Sequence, residues 1–165
     1  MNIFYLDKNQ KTCAEMHCDR HVVKMILEYA QILSTAHRVL DGDLSWHVSL
    51  YKKTHTNHPS TKWARESSEH YKWLHLLWVE LCKEYTHRYE KTHKTWKKLG
   101  CYLYKTPYNI PHNGFVEPPQ CMPEESKEGS SIIAYRNYYV NSKSSFASWK
   151  NRMVPPWFKK HEKVK

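Results

Sequence analysis

The hydrophobic positions in the first third of the chain follow a helical period and define one buried face. Apolar side chains recur there at intervals of three and four residues, the spacing of a single helix face: Val22, Ile26, Tyr29, Leu33, Ala36 and Leu40. The opposite face carries polar and titratable residues at the same spacing: His17, His21, Lys24, Glu28, Gln31 and Thr35. A solvated helix face usually mixes Lys, Glu and Gln, so this row of two histidines, a lysine and a glutamate indicates the wall of a site.

Two long helices are predicted in the first half of the chain. Thr12 and Glu15 stand at capping-box spacing and predict the start of the first helix, which a turn at residues 41–43 should end. A second helix should begin at Pro59, or one residue later, and run to about Tyr89. Its predicted buried stripe contains these side chains: Trp63, Ser67, His70, Tyr71, Leu74, Leu77, Trp78, Leu81 and Tyr85.

The rest of the chain adds an N-terminal arm, a loop and one more helix. Residues 1–6 are mostly apolar and predict a strand-like segment or a short extended arm packed on the body. Residues 106–130 hold five of the 8 prolines and predict an irregular loop, too long to be a simple connection. A third helix is predicted from Ser131 to about Lys150. The expected fold is mainly α: a compact bundle of about three main helices, with residues 1–165 forming a single domain.

The charge of the chain favours an anionic partner. The 26 Lys and Arg residues exceed the 16 Asp and Glu residues and give a formal net charge of +10 and a pI of about 9.3. Nucleic acid is the leading candidate and an acidic membrane surface the second. No apolar run approaches the roughly 18 residues that a membrane span needs, so insertion into a bilayer is excluded. The five Cys residues lack a paired spacing and the N-terminus lacks a signal peptide. We therefore expect reduced thiols and a location in the cytoplasm or the nucleus, and the cell could be a virus-infected host.

The C-terminal region, residues 131–165, combines positive charge with aromatic side chains. One acidic residue, Glu162, stands against eight basic ones: Arg136, Lys143, Lys150, Arg152, Lys159, Lys160, Lys163 and Lys165. The interleaved aromatic residues include Tyr138, Tyr139, Trp149, Trp157 and Phe158. Basic residues neutralise phosphates and aromatic faces stack on unpaired bases, so this mixture favours DNA or RNA binding. The alternative is a solvated basic helix whose aromatic side chains belong to the core.

Two shorter patterns leave a chemical and a structural interpretation open. Cys13, His17 and His21 are spaced four residues apart on the first helix and could hold a metal, or could simply pack and hydrogen-bond. His58 and Asn57 precede the second helix, where backbone N–H groups could face a phosphate, or where either residue could serve as the helix cap. The chain contains no Walker loop, dinucleotide fingerprint, serine nucleophile elbow or HExxH motif.

The order of these elements resembles that of a DNA repair family. An apolar start of the form Met-x-Ile-x-x-Leu precedes a helix that carries Asp19-x-His21 and then Glu28. A turn at Pro59, a long helix that ends in Glu84-Tyr-Thr-His-Arg-Tyr, and a late segment rich in Tyr and Lys follow. In outline, over most of its length, the chain resembles the phage pyrimidine-dimer DNA glycosylase/abasic-site lyase family, whose members are small, basic and all-helical.

The resemblance implies a catalytic mechanism and three catalytic residues. Enzymes of this family attack the sugar C1′ with the amino-terminal amine, form a Schiff base and cleave the strand by β-elimination. By resemblance, the amine of Met1 is the nucleophile, Glu28 is the acid/base residue and His21 supports them. An α-amine has an ordinary pKa near 8, so much more of it can be neutral at working pH than of a lysine. Because Asn2 is bulky, we expect Met1 to be retained.

The resemblance also implies double-stranded DNA with a damaged or modified base as the partner, and neither a cofactor nor a metal. We expect a monomer whose DNA contacts are these residues: Asn2, Arg20, Lys24, His58, Arg65, Arg136, Lys143, Lys150, Arg152 and Trp157. Two other functions stay open: a non-catalytic nucleic-acid-binding protein that uses residues 131–165, and a metal-dependent nuclease built on Cys13, His17 and His21.

Overall fold

Helices provide the regular structure of the residues that the computed structural model describes, 1–42 and 48–159. The six α-helices in these ranges are α1 (Gln10–Met16), α2 (Asp19–Asp41), α3 (Pro59–Glu66), α4 (Ser68–Tyr89), α5 (Lys94–Leu99) and α6 (Ser131–Tyr138). No β-strand occurs in them, so the predicted mainly α fold is confirmed. Asp43 of the predicted turn and the basic residues Lys160, Lys163 and Lys165 lie outside the described residues.

The first predicted helix is divided into α1 and α2 by extended backbone at His17 and Cys18. The capping-box prediction is wrong: the side chain of Asn9 caps α1 by accepting from the Thr12 N–H at 2.9 Å. At the break, the Asp19 N–H donates to the carbonyl of Ser148 at 2.8 Å. The C-terminal region thus satisfies a backbone group that the break exposes, and it fixes the start of α2.

The second predicted helix has the expected ends and an unexpected break. It starts with Pro59, where His58 acts as the cap and accepts from the Ser60 N–H, and it ends at Tyr89. Extended backbone at Ser67 separates α3 from α4. The Ser68 N–H then donates to the carbonyl of residue 111 at 2.8 Å, so the Pro-rich loop supplies a partner at this break.

The third predicted helix is shorter than expected. After α6 ends at Tyr138, a π-helical turn covers Tyr139–Lys143, and irregular backbone follows. Beyond the π-helical turn, the segment folds back onto the junction between α1 and α2. There the Trp149 indole N–H donates to the Met16 carbonyl at 2.9 Å.

The N-terminal residues form an extended arm that packs inside the protein. Of the two predicted forms, a strand-like segment and an extended arm, the arm is confirmed. Ile3, Phe4, Tyr5 and Leu6 are each at most 5% exposed. Burial of side chains of this size contributes about 2 kcal/mol each, so the arm is anchored strongly. Residues 106–130 are irregular, as predicted, apart from a short 3₁₀ turn at Glu124–Ser126.

Helix α4 is the centre of the core. It packs on α1, α2 and α3, and the Trp78 indole N–H donates to the carbonyl of Ile26 at 3.0 Å. The predicted apolar stripe of α2 faces this core, and only Leu40 at its end is partly exposed. None of the helices in the described ranges has the length and apolar character that crossing a membrane requires.

Candidate active site

The amino terminus faces the carboxylate of Glu28. The Met1 nitrogen lies 3.7 Å from Glu28 Oε1, and Lys24 Nζ lies 3.8 Å from Oε2 on the next turn of α2. The Met1 side chain is only 3% exposed, whereas the residue as a whole is partly exposed. The accessible part of Met1 is therefore its backbone end, which carries the amine. Glu28 Oε2 is buried and accepts no hydrogen bond within the described residues.

A buried hydrogen-bond chain holds the arm that carries this amine. His17 Nδ1 lies 2.7 Å from the Cys13 carbonyl, which can only accept, so Nδ1 carries the proton of the neutral ring. Nε2 then accepts from the Tyr29 hydroxyl at 2.8 Å, and the Tyr29 oxygen accepts from the Phe4 N–H at 3.1 Å. Burial lowers the pKa of His17 to about 4, which keeps the ring neutral at pH 7.

His21 forms the floor of the site beneath the arm. Its ring stacks on Phe4 with centroids 4.1 Å apart, and its Nδ1 lies 2.6 Å from the Tyr139 hydroxyl. The same hydroxyl accepts from the Cys18 N–H at 3.3 Å. Burial is the main cause that lowers the pKa of His21 to about 2, and the positive charges of Lys143, Lys24 and Arg20 add to it. His21 is therefore a neutral hydrogen-bonding group.

These groups line one pocket of about 150 Å³ that three parts of the chain build. The arm, α2 and the segment around the π-helical turn contribute its walls: Met1, Asn2, Phe4, His21, Lys24, Met25, Glu28, Tyr138 and Lys143. Glu28 is the acidic member, whereas the amine and two lysines are cationic. An anionic ligand such as a DNA phosphate is therefore attracted to the rim, and a base is available inside.

Of the predicted DNA contacts, Asn2 lines this pocket with Lys24 and Lys143, and His58 and Arg20 lie close to it. Asn2 donates to the Cys121 carbonyl at 2.9 Å and ties the arm to the Pro-rich loop. Burial is the main cause that lowers the pKa of His58. The positive charge of the nearby amino terminus is the second cause, and His55 is the third. The Arg20 guanidinium lies 4.1 Å over the ring of Phe146, which also contacts His21.

The remaining predicted contacts lie elsewhere, and most have partners within the protein. Arg65 lines a separate cavity with His70 and Val116. Arg136 donates to the Leu6 carbonyl at 2.9 Å and lies 5.5 Å over the ring of Trp157. Lys150 Nζ lies 5.2 Å over the Tyr89 ring. Arg136 thus has partners within the protein, whereas the exposed Lys150 stays accessible to a ligand.

Arg152, another predicted contact, belongs to a second charged cluster around Glu84. Arg152 Nε and Nη2 donate to the two Glu84 oxygens at 2.8 and 3.0 Å. The fully buried Arg88 donates to Glu84, to Asp19 and to the Glu15 carbonyl at 2.9 to 3.0 Å. Burial raises the pKa of the Glu84 carboxyl, but the hydrogen bonds from the two arginines outweigh it and hold that pKa below its ordinary value.

The proposed metal row does not form a metal site. Cys13 donates its thiol hydrogen to the Phe4 carbonyl, and both ring nitrogens of His17 are engaged in the chain described above. His21 faces Tyr139 instead of the other two residues. Within residues 1–42 and 48–159, no group of three or more His, Cys, Asp or Glu side chains is arranged to hold a metal ion.

Several contributors to the site were not identified from the sequence. Tyr29 was assigned only to the core stripe, yet its hydroxyl links His17 to the arm. Tyr138 and Tyr139 were assigned only to the basic aromatic region, yet Tyr138 borders the pocket and Tyr139 holds His21. The one local signal was Tyr29 itself, a residue with a polar end in an otherwise aliphatic stripe.

Comparison with known proteins gives one match. The model of the pyrimidine dimer DNA glycosylase family matches residues 1–98, which include Met1, His21 and Glu28. No curated protein and no solved structure matches the chain. The matched part covers the arm and the helices up to α5, while Tyr138 and Lys143 come from the unmatched part.

Proposed function

Since the chain belongs to the pyrimidine dimer DNA glycosylase family, we propose that it excises damaged bases from double-stranded DNA and cuts the strand at the abasic site. The observation that carries this proposal is the 3.7 Å separation between the Met1 nitrogen and the Glu28 carboxylate inside a cationic pocket. An amine with an adjacent carboxylate is the pair that Schiff-base chemistry at a sugar requires.

In the first step, the Met1 amine loses its proton to solvent, and the neutral form attacks the sugar C1′. The glycosidic bond breaks, and the base leaves with the bonding electron pair. The new C–N bond places a positive charge on nitrogen, and a Glu28 carboxylate oxygen takes the excess proton. Return of that proton to the ring oxygen O4′ opens the sugar and leaves an iminium between Met1 and C1′.

In the second step, the Glu28 carboxylate removes a proton from C2′. The electrons form a C2′–C3′ double bond and expel the 3′ phosphate, which cuts the strand. Lys24 and Lys143 stand at the pocket rim, where they favour the departing negative charge. Hydrolysis of the iminium then frees Met1 for another turnover.

His21 has a positioning role in this proposal. It is neutral because burial lowers its pKa to about 2, and its Nδ1 shares a hydrogen bond of 2.6 Å with the Tyr139 hydroxyl. A neutral ring beneath Phe4 supports the arm without adding a charge that would compete with the amine for Glu28.

Trapping on abasic DNA tests this function. Sodium borohydride in EDTA should reduce the iminium and give a covalent protein–DNA product with a duplex that contains one abasic site. Acetylation of the α-amine should abolish the product, and a duplex with one cyclobutane pyrimidine dimer should be nicked whereas its undamaged counterpart is not. An adduct that survives acetylation would contradict the role of Met1, and nicking that EDTA abolishes would favour a metal-dependent nuclease. Salt-sensitive DNA binding without any adduct or nicking would favour the non-catalytic alternative.

A further inference from the structure

Two tyrosines on the Pro-rich side of the molecule are exposed to an extent that packing does not explain. Tyr104 is 58% exposed and Tyr108 is 75% exposed, although other tyrosines of the chain are fully buried. Together with Lys72, Lys105 and His112 they line a concave surface of about 580 Å³, which we name the tyrosine surface. A volume of this size accommodates one or two nucleotide bases.

The backbone beneath the tyrosine surface is held in place. The N–H groups of Tyr108 and Asn109 donate to the Asp41 carboxylate at 2.8 and 2.9 Å. The hydroxyl of the buried Tyr71 donates to the carbonyl of Leu103 at 2.7 Å. The exposed rings therefore project from fixed backbone, so binding a ligand there does not require the loop to be ordered first.

The charges around this surface favour an anion. Lys72 and Lys105 are exposed, and Lys105 Nζ lies 5.9 Å from the centroid of the Tyr104 ring. The acids nearby already have partners: Asp41 accepts the loop N–H groups, and Glu69 accepts a hydrogen bond from Ser67. Two lysines beside two exposed aromatic faces form the combination that neutralises phosphates while it stacks on bases.

We propose that the tyrosine surface binds unpaired nucleotides of a nucleic-acid strand. A base inside a duplex has both faces covered by its neighbours, so exposed tyrosine rings gain stacking partners only from unpaired bases. Asp41, which holds the loop, is 13 residues from Glu28 on α2, or about 20 Å along the helix. The surface is thus separate from the Met1 pocket, and its tyrosines lie outside the residues that the family model matches.

Oligonucleotide binding tests the proposal on the full chain. The probe is a fluorescein-labelled oligothymidine of ten nucleotides, and its Kd is measured by anisotropy over a range of salt. The double variant Tyr104→Leu, Tyr108→Leu should weaken binding at least about fivefold, because each stacked base contributes to the affinity. Tyr104→Phe with Tyr108→Phe keeps the rings and should bind as the wild type does. Lys72→Gln with Lys105→Gln should reduce the salt slope by about 1.4.

Matched controls and a cross-link keep the outcomes distinct. Lys94→Gln with Lys97→Gln removes two exposed lysines from α5 and should leave the Kd unchanged. With 5-iodouracil in the probe, ultraviolet cross-links should map to the peptide that contains Tyr104 or Tyr108. Three results would overturn the proposal. The cross-links could be confined to residues 131–165, or the double leucine variant could bind the probe with wild-type affinity. That variant could also lose binding to phosphatidylserine vesicles only. The probe contains no lesion, so this binding does not depend on the proposed reaction. A wild-type protein that binds the probe but is not trapped by borohydride on abasic DNA would refute the proposed function alone.

Discussion

Glu28 is a partly buried carboxylate and Glu84 a fully buried one. Both lie beside cationic groups, but only Glu84 is hydrogen-bonded to them. Glu84 is 3% exposed and receives hydrogen bonds from two arginines at 2.8 to 3.0 Å. Glu28 is 17% exposed, and its cationic neighbours stay at 3.7 and 3.8 Å. A carboxylate whose oxygens are saturated by fixed donors stabilises a fold, whereas one with an open oxygen can exchange a proton. The comparison separates a structural cluster from the one that we propose to be reactive.

The largest effect should come from Glu28→Gln. We expect strand nicking to fall by about 10²- to 10⁴-fold, because an amide cannot accept and return a proton. The free energy of unfolding should change by less than about 1 kcal/mol, because the two ion pairs of Glu28 are long and partly solvated. Single-turnover nicking and urea unfolding measure the two quantities. Nicking at the wild-type rate would remove Glu28 from the mechanism.

Glu84→Gln should show the reverse pattern. The substitution removes one of the two carboxylates that pair with the fully buried Arg88 and leaves Asp19 as the other. The free energy of unfolding should therefore fall by about 1–3 kcal/mol, less than the cost of a fully unpaired buried charge. Nicking per folded molecule should be retained, since Glu84 does not line the Met1 pocket. Urea unfolding and active-site titration measure these outcomes. A variant of normal stability would show that the arginines find other partners.

Acid should destabilise the protein through the two histidines that support the site. Burial lowers the pKa of His17 to about 4 and of His21 to about 2, whereas in the unfolded chain both have the ordinary value near 6.5. The unfolded state then binds more protons below pH 6.5, so stability is full above that pH and falls as the pH decreases toward 4. At pH 5 each histidine should remove about 2 kcal/mol.

Unfolding by urea at a series of pH values measures this loss, and His17→Gln serves as the comparison. The variant should be less stable at pH 7.5 but should have a flatter pH dependence between pH 6.5 and 4, because one titrating group is gone. A pH dependence equal to that of the wild type would mean that His17 does not change its proton affinity on folding.

Tyr29→Phe should slow the reaction much less than Glu28→Gln does. Loss of the hydroxyl leaves the Phe4 N–H and His17 Nε2 without their partner, at about 1–3 kcal/mol for each buried group. The arm should loosen and the rate of adduct formation should fall. Tyr71→Phe is the matched control, because it removes an equally buried hydroxyl that bonds His37 and Leu103 instead of the arm. Equal rates of adduct formation in the two variants would show that the chain through Tyr29 does not position the amine.

Local sequence rules predicted most of the fold and a part of the site. The start at Pro59, the end at Tyr89 and the irregular Pro-rich segment follow from turn and helix preferences that act over a few residues. The breaks at His17 and Ser67 do not, since the groups that satisfy the exposed backbone there include partners far along the chain.

The same limit applies to the site. Periodicity placed His21, Lys24 and Glu28 on one helix, but it could not show which of them is open to solvent. His21 is fixed by Tyr139, 118 residues away, and Lys143 reaches the pocket through a π-helical turn that no local pattern indicated. The row of His17 with Cys13 suggested a metal because its true partners, Tyr29 and two carbonyl groups, are not visible in the spacing.

The most direct test of the central claim is to identify the atom that carries the trapped sugar. The borohydride-reduced product would be digested with nuclease and protease, and the modified peptide would be sequenced by tandem mass spectrometry. The proposed mechanism predicts that the sugar remnant is on the α-amine of a retained Met1. A remnant on Lys24 or Lys143, the two lysines of the same pocket, would contradict it.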